Sequence, residues 1–291
     1  NWPARVAALM GTDKNKGLLA EIQITGSEIA AATPNDLIVA VKADSEQTLA
    51  AVLDHIDDWL RRDQDGARAA STTLAQAVAQ QPQSNLAVIS VPGQYAAREA
   101  RLALERGLHV FLFSDNVPIE SELALKQYAR ERGLLVMGPD CGTALIGGAG
   151  VGFANVVRRG PIGVVGASGT GIQEFTTLAH RAGAGISHAI GVGSRDLSDA
   201  VGGISTLTAL EALEADPQTR AIAVLSKPPG RATLASLIQR IGSCPKPVVA
   251  CFLGLREEPA NISTHCRLAA TLDDPTPENI KAELSELLGC V

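Results

Sequence analysis

Aromatic residues are scarce in this chain of 291 residues: two Trp, two Tyr and five Phe, 3% in all. Without a row of aromatics there is no platform on which nucleobases could stack. Basic clusters are missing too. The 25 Lys and Arg against 31 Asp and Glu leave a formal charge of −6, and the pI is near 5.4, a balance that argues against a nucleic-acid surface. No apolar run approaches the length of a membrane span, and the first residues lack the charged and apolar regions of a signal peptide. A cytoplasmic protein without membrane attachment is the expectation. The five cysteines (Cys141, Cys244, Cys251, Cys266, Cys290) are odd in number, scattered, and form no CxxC pair. That excludes a disulfide framework, gives no metal site, and suits a reducing compartment. The chain opens on Asn1 rather than Met, as a fragment or an incomplete product would.

What is present is apolar residues at 46% with only 19% charged, enough for two domains with buried cores. Short apolar runs alternate with amphipathic stretches. Strands are expected at 36–41, 86–91, 109–113, 134–137, 161–165, 186–190, 220–225 and 247–253. Helices are expected near 45–59, 94–106, 120–132, 171–182, 207–215 and 232–242. Strands with little alternation, separated by helices, imply an α/β protein with parallel sheets covered on both faces. Ligands in such folds sit at the carboxyl ends of the strands. The polar stretch 61–71 reads as a mobile linker, and 147–160 as a domain boundary, giving domains 1–156 and 157–291.

The most informative segment is Ile162-Gly163-Val164-Val165-Gly166-Ala167-Ser168-Gly169-Thr170-Gly171. A short apolar run empties into a loop of Gly, Ser and Thr, and a helix follows at once. Ser168, Gly169, Thr170 and Gly171 would then present unpaired amides and hydroxyls at the positive end of a helix, which suits a phosphate or carboxylate. Other strand-end loops bring Ser90, Pro92 and Asn116, then Asp140 and Cys141, and then Gly191, Gly193 and Arg195. Each of these loops can equally be plain turn chemistry. Asp140 could accept a hydrogen bond from substrate or cap its own turn. Arg195 could clamp a carboxylate, or pair with Asp196 or Asp199. Gly202-Gly203-Ile204-Ser205-Thr206 could form a second anion cradle or an ordinary helix cap. Cys141 has no base or cation nearby in sequence and reads as a buried structural thiol; His188 reads as a core histidine.

From Val91 to Thr143 (VPGQYAAREARLALERGLHVFLFSDNVPIESELALKQYARERGLLVMGPDCGT) and again through GPIGVVGASGTGIQEF, AIGVGSRDL, ALEALEADPQTRAIAVLSKPPG and KPVVACFLG, the chain resembles the succinyl-CoA synthetase α subunit and other NDP-forming acyl-CoA synthetases. A closer similarity, through MGTDKNKGLL, ATPNDL, LVMGPDCGTA, ISHAIGVGSRDLS and VGGISTLTALE, is to the FdrA family. The resemblance implies a Rossmann-like CoA-binding-type domain followed by a flavodoxin-like ligase domain, with a further C-terminal region absent here. It implies CoA, phosphate or ADP/ATP as ligands, a small carboxylic acid as substrate, and partner protein subunits in an oligomer. For FdrA it implies carbamoyl transfer in allantoin degradation, converting oxalurate and phosphate to oxamate and carbamoyl phosphate. An acyl-CoA synthetase or a non-catalytic binding subunit are the alternatives.

The resemblance also has gaps. The synthetases carry phosphate on a histidine in a Gly-His-Ala-Gly loop, where this chain reads Leu255-Arg256-Glu257-Glu258-Pro259; its nearest histidine is His265. Their Gly-Glu-Ile-Gly-Gly glutamate is replaced by Lys227 in Ser226-Lys227-Pro228-Pro229-Gly230. A cation cannot accept an imidazole N–H but can hold a phosphate or carboxylate. Lys227, Arg195 and Asp140 are therefore the expected catalytic side chains. The nucleotide turn is represented only by Gly11-Thr12-Asp13-Lys14-Asn15-Lys16-Gly17, where Asp13 opposes a pyrophosphate and Lys14 and Lys16 partly offset it.

Overall fold

The computed structural model describes residues 4–21, 24–43, 45–61, 73–255 and 266–269. The chain divides into two compact units, Asn1–Thr72 and Thr73–Val291. The expected linker lies, apart from Arg61, outside the described residues, as does His265.

In the first unit, β1 (Ala4–Met10), α1 (Asp13–Glu21), α2 (Ser27–Ala31), β2 (Leu37–Ala43) and α3 (Glu46–Arg61) follow one another. β1 and β2 pair antiparallel, from Ala4↔Ala43 to Met10↔Leu37. Among the described residues its core holds Leu19, Ile38 and Ala40, backed by Leu9, Ile24, Ile29 and Ala32. Parallel α/β structure therefore begins in the second unit, not at residue 1.

The second unit opens with α4 (Leu74–Gln80), whose N-cap Thr73 accepts a hydrogen bond from the Gln76 amide at 3.2 Å. Next come β3 (Leu86–Ile89), α5 (Gly93–Glu105), β4 (His109–Leu112), α6 (Ile119–Arg130) and β5 (Val136–Met137). The strands form a parallel sheet in the order β3-β4-β5. α5 covers it with Ala96, Ala100, Ala103 and Leu104, one helical face whose three alanines let helix and sheet approach closely.

The chain then runs through 138–142 into the hairpin β6 (Thr143–Ile146) and β7 (Ala149–Gly152). It continues as β8 (Arg159–Gly166), α7 (Gly169–Arg181), β9 (Ile186–Gly191), α8 (Ile204–Ala215), β10 (Ala221–Ser226), α9 (Arg231–Gly242), β11 (Val248–Phe252) and β12 (Cys266–Ala269). The stretch expected to separate two domains, 147–160, thus contributes β7 and the start of β8. The second sheet has the order β12-β11-β10-β8-β9-β6-β7. It is parallel from β12 to β9, with β6 antiparallel to β9.

β10 shows why its apolar residues run without alternation. Ala221, Ala223 and Leu225 pack with Ile172, Phe175 and Ala179 of α7. Ile222 and Val224 pack on the opposite face with Leu210, Leu213, Leu237 and Ile241 of α8 and α9. Both faces are covered, so neither can be polar. From β8 the chain crosses to β9 on one side and later returns to place β10 on the other. That reversal opens a crevice at the carboxyl end of β8.

Candidate functional site

The crevice is a cavity of about 330 Å³ whose lining includes Ser168, Gly169 and Thr170, Gly191, Gly193, Ser194, Asp140 and Lys227. At its centre is the β8–α7 turn. Ser168 has an extended backbone, and its Oγ accepts from the Gly171 amide at 3.2 Å; its carbonyl accepts from Ile172 at 3.0 Å. The amides of Gly169 and Thr170, in the first turn, have no hydrogen-bond acceptor among the described residues. Gly171 belongs to the helix and serves the cap, with its N–H already used.

A second wall comes from the end of β9. The Val192 amide donates to Gly166 O at 3.0 Å, tying this loop to the β8 turn. A side chain at Gly191 would run into Thr143 O and come within 2.7 Å of Cys141 Sγ. Only glycine allows β9 and the 138–143 segment to lie this close. That segment forms the third wall. Asp140 adopts a left-handed φ of 57°, a conformation Asp tolerates better than most residues. Its amide donates to Ser114 O at 3.0 Å and its Oδ2 accepts from Ser194 Oγ at 2.8 Å.

Lys227 follows β10 on the other flank. It is exposed and has no carboxylate within ion-pair distance among the described residues. Gln173 completes the rim: its Nε2 donates to Thr143 Oγ1 at 3.0 Å and Phe153 O at 2.7 Å. The exposed Phe153 ring meets Phe113 edge-on at 5.5 Å.

Cys141 also borders the cavity, but its Sγ–H points into the protein, toward Gly191 O at 3.3 Å and Thr143 O at 3.6 Å. Burial pushes its thiol up to about 11, so little thiolate exists at neutral pH and the structural reading applies. His188 Nδ1 accepts from the Gly147 amide at 3.1 Å, and Nε2 lies 3.6 Å from Asp216.

Other sequence-derived residues are placed elsewhere. Arg195 donates to Val117 O at 2.7 Å and pairs with Glu122 at 2.8 Å; it does not line the cavity. Behind it is a buried ion cluster. Lys126 Nζ donates to Glu122 Oε1 at 2.8 Å, Asp196 Oδ1 at 2.7 Å and Val192 O at 3.0 Å. Asp196 in turn accepts from the Ser205 amide at 3.1 Å, the Thr206 amide at 2.9 Å and Thr206 Oγ1 at 2.7 Å. The Gly202–Gly203 cradle is therefore filled by the chain's own carboxylate. Ser90, Pro92 and Asn116 cluster at the top of the three-stranded sheet, where the Val91 amide donates to Ser114 Oγ at 3.0 Å; they form turns and none lines the cavity.

Sequence reasoning missed Gln173, Thr143, Phe153 and the Lys126 cluster. Gln173 could have been found from its place one helical turn beyond Gly169, on the same face. The Glu122–Lys126 spacing is visible in sequence but looks like an exposed i,i+4 pair; only the fold buries it.

Residues 157–243, spanning β8 to α9, match the family model described as CoA binding domain. Over 186 residues the chain is 30% identical to the α subunit of ADP-forming succinate–CoA ligase from Methanothermobacter thermautotrophicus, covering 62% of this chain and 61% of that subunit. Over these residues the chain is similar to succinate–CoA ligase α subunits. The chain is also 49% identical over 256 residues to the uncharacterized protein YahF of Escherichia coli, covering 87% of this chain and 49% of YahF. It thus spans about half to three-fifths of the length of these two relatives. The fold agrees: ATP citrate lyase from Methanothrix soehngenii, solved with citrate and coenzyme A, superposes with a TM-score of 0.61 at 19% identity, covering 75% of this chain and 42% of the lyase.

Residues 4–79 match a model described as AllF, heavy metal-associated domain. They contain no cysteine and a single histidine, His55. This composition does not fit a thiolate-held ion, and no cluster of three metal-binding side chains occurs among the described residues. For CoA the fit is better: the free amides at Gly169 and Thr170 with Lys227 suit its phosphates. No described helix is long and apolar enough to cross a membrane.

Proposed function

We propose that the cavity holds phosphate beside a small carboxylic acid, in one subunit of an acyl-CoA-synthetase-like enzyme that works with partner subunits. The observation that carries this reading is the open start of α7 facing a lysine that has no carboxylate partner among the described residues. The Gly169 and Thr170 amides would take two phosphate oxygens, the helix dipole favours their charge, and Lys227 neutralises what remains.

The reaction that best suits these parts is carbamoyl transfer in allantoin degradation, as the FdrA resemblance implies. A phosphate oxygen attacks the carbamoyl carbon of oxalurate. The bond from that carbon to the oxamate nitrogen breaks, and the nitrogen takes the phosphate's proton. Carbamoyl phosphate and oxamate result. Charge rises on the phosphate and the departing amide, where fixed donors stabilise it without reorganising. No covalent enzyme intermediate is needed, consistent with Lys227 standing where the synthetases place a glutamate.

The match of 157–243 to a CoA-binding model favours a second reading, an NDP-forming acyl-CoA synthetase. There CoA would supply the thiol that receives the acyl group, its phosphates held at Ser168–Thr170 and Lys227. The test is calorimetric titration of the chain with phosphate, and assay of the assembled subunits for carbamoyl phosphate and oxamate. Lys227→Met should weaken phosphate about tenfold or more, since a charged hydrogen bond contributes about 1.5–3 kcal/mol. Absence of phosphate binding at millimolar concentration would sink the proposal; acyl-CoA formation without carbamoyl phosphate would select the second reading.

A further inference from the structure

The cavity carries a carboxylate, which an anion site ought to avoid. β8 and β9 lie between β10, which ends at Lys227, and β6, which the Asp140 segment enters. At about 4.8 Å per strand, those two strands hold the lysine and the aspartate roughly 14 Å apart in sheet order. No ion pair joins them, though both line the cavity. Cation and carboxylate therefore bracket the space on either side of the α7 start.

Asp140 is not needed to hold its own segment. The backbone does that, through Asp140 N to Ser114 O at 3.0 Å and Cys141 N to Leu112 O at 3.2 Å. Its Oδ2 takes the Ser194 hydroxyl, and Oδ1 has no hydrogen bond among the described residues. An ionised carboxylate is an acceptor only. A dicarboxylate bound here would set like charge against like, whereas an N–H group would satisfy the free oxygen.

We infer that Asp140 selects the substrate class: an acid with its anionic end toward Lys227, beside the phosphate at the α7 amides, and an N–H-bearing carboxamide or ureido group at Asp140. This rests on the anion site proposed above and adds the requirement for a donor at the other end. Oxamate and oxalate test it, because they differ by one amide in place of one carboxylate. Titrated into the full chain at pH 7, oxamate should bind at least tenfold tighter than oxalate. Asp140→Asn should abolish or invert that preference, since an asparagine amide donates to a carboxylate and adopts the left-handed backbone as readily.

Equal or tighter oxalate binding to the parent chain overturns the inference. So does an unchanged preference in Asp140→Asn, or failure of both acids to bind. Phosphate binding with no oxamate preference defeats this inference alone. An Asp140-dependent preference without phosphate binding defeats only the phosphate reading.

Discussion

Replacing Lys126 by methionine tests the packing behind the cavity wall without touching the cavity lining. Lys126 is fully buried and makes three charge-assisted hydrogen bonds, to Glu122, Asp196 and Val192 O. Bonds to charged groups contribute about 1.5–3 kcal/mol each, so the three together set an upper bound of about 5–9 kcal/mol. Both carboxylates keep other partners: Arg195 for Glu122, and the first turn of α8 for Asp196. The expected loss is therefore about 3–5 kcal/mol, the range for breaking a buried pair from one side. For a domain of this size that lowers Tm by roughly 6–20 °C. Urea unfolding should show the midpoint falling with an unchanged slope. In a double-mutant cycle, adding Asp196→Asn should cost less in the Lys126→Met background than alone, because one stranded charge is removed. A loss below about 1 kcal/mol, or strict additivity in the cycle, would refute the argument that this cluster locks the Val192 loop against α6.

Two further predictions concern titrating groups. Native Cys141 should resist alkylation at pH 8, because burial holds its thiol near 11, and should label once the chain is unfolded; peptide mass mapping that finds rapid native labelling would contradict this. His109 is half-buried and its Nδ1 accepts from the Leu135 amide at 3.0 Å, while burial lowers its pKa below the ordinary 6.5. The unfolded chain therefore binds the proton first, so this contribution to stability is present above pH 6.5 and is lost as pH falls toward the folded value. His109→Asn should flatten that part of the stability–pH profile, and an unchanged slope would count against it.

Much of the second unit is legible in the sequence because its strands are buried on both faces. Six consecutive buried residues in β10 leave no other pattern available. The β8–α7 turn is legible for the same reason: an apolar run, a polar N-cap and a helix are all local signals. The hairpin β6–β7 was obscured by composition. Gly147 and Gly148, with φ of 57° and 88°, are the two-residue turn that favours paired strands, yet they sit in a glycine-rich stretch that also reads as a linker. The first unit is harder still, with three buried apolar residues among the described ones to mark its core. Arg195 and Asp196 show the limit of local reading: their loop follows β9, but Arg195 turns to Glu122 and Asp196 to Lys126 of α6, about seventy residues away in sequence.

Asp196 at the start of α8 amounts to a ligand that cannot diffuse away. Its tether sets its effective concentration at that helix end, and a dissolved anion would have to displace a carboxylate already holding two amides, a hydroxyl and an ammonium. The fold thus contains two helix starts of similar design, one furnished from within and one left for solution. Of this pair, the α7 start is the one we propose for free phosphate, so the two should account for one phosphate per chain.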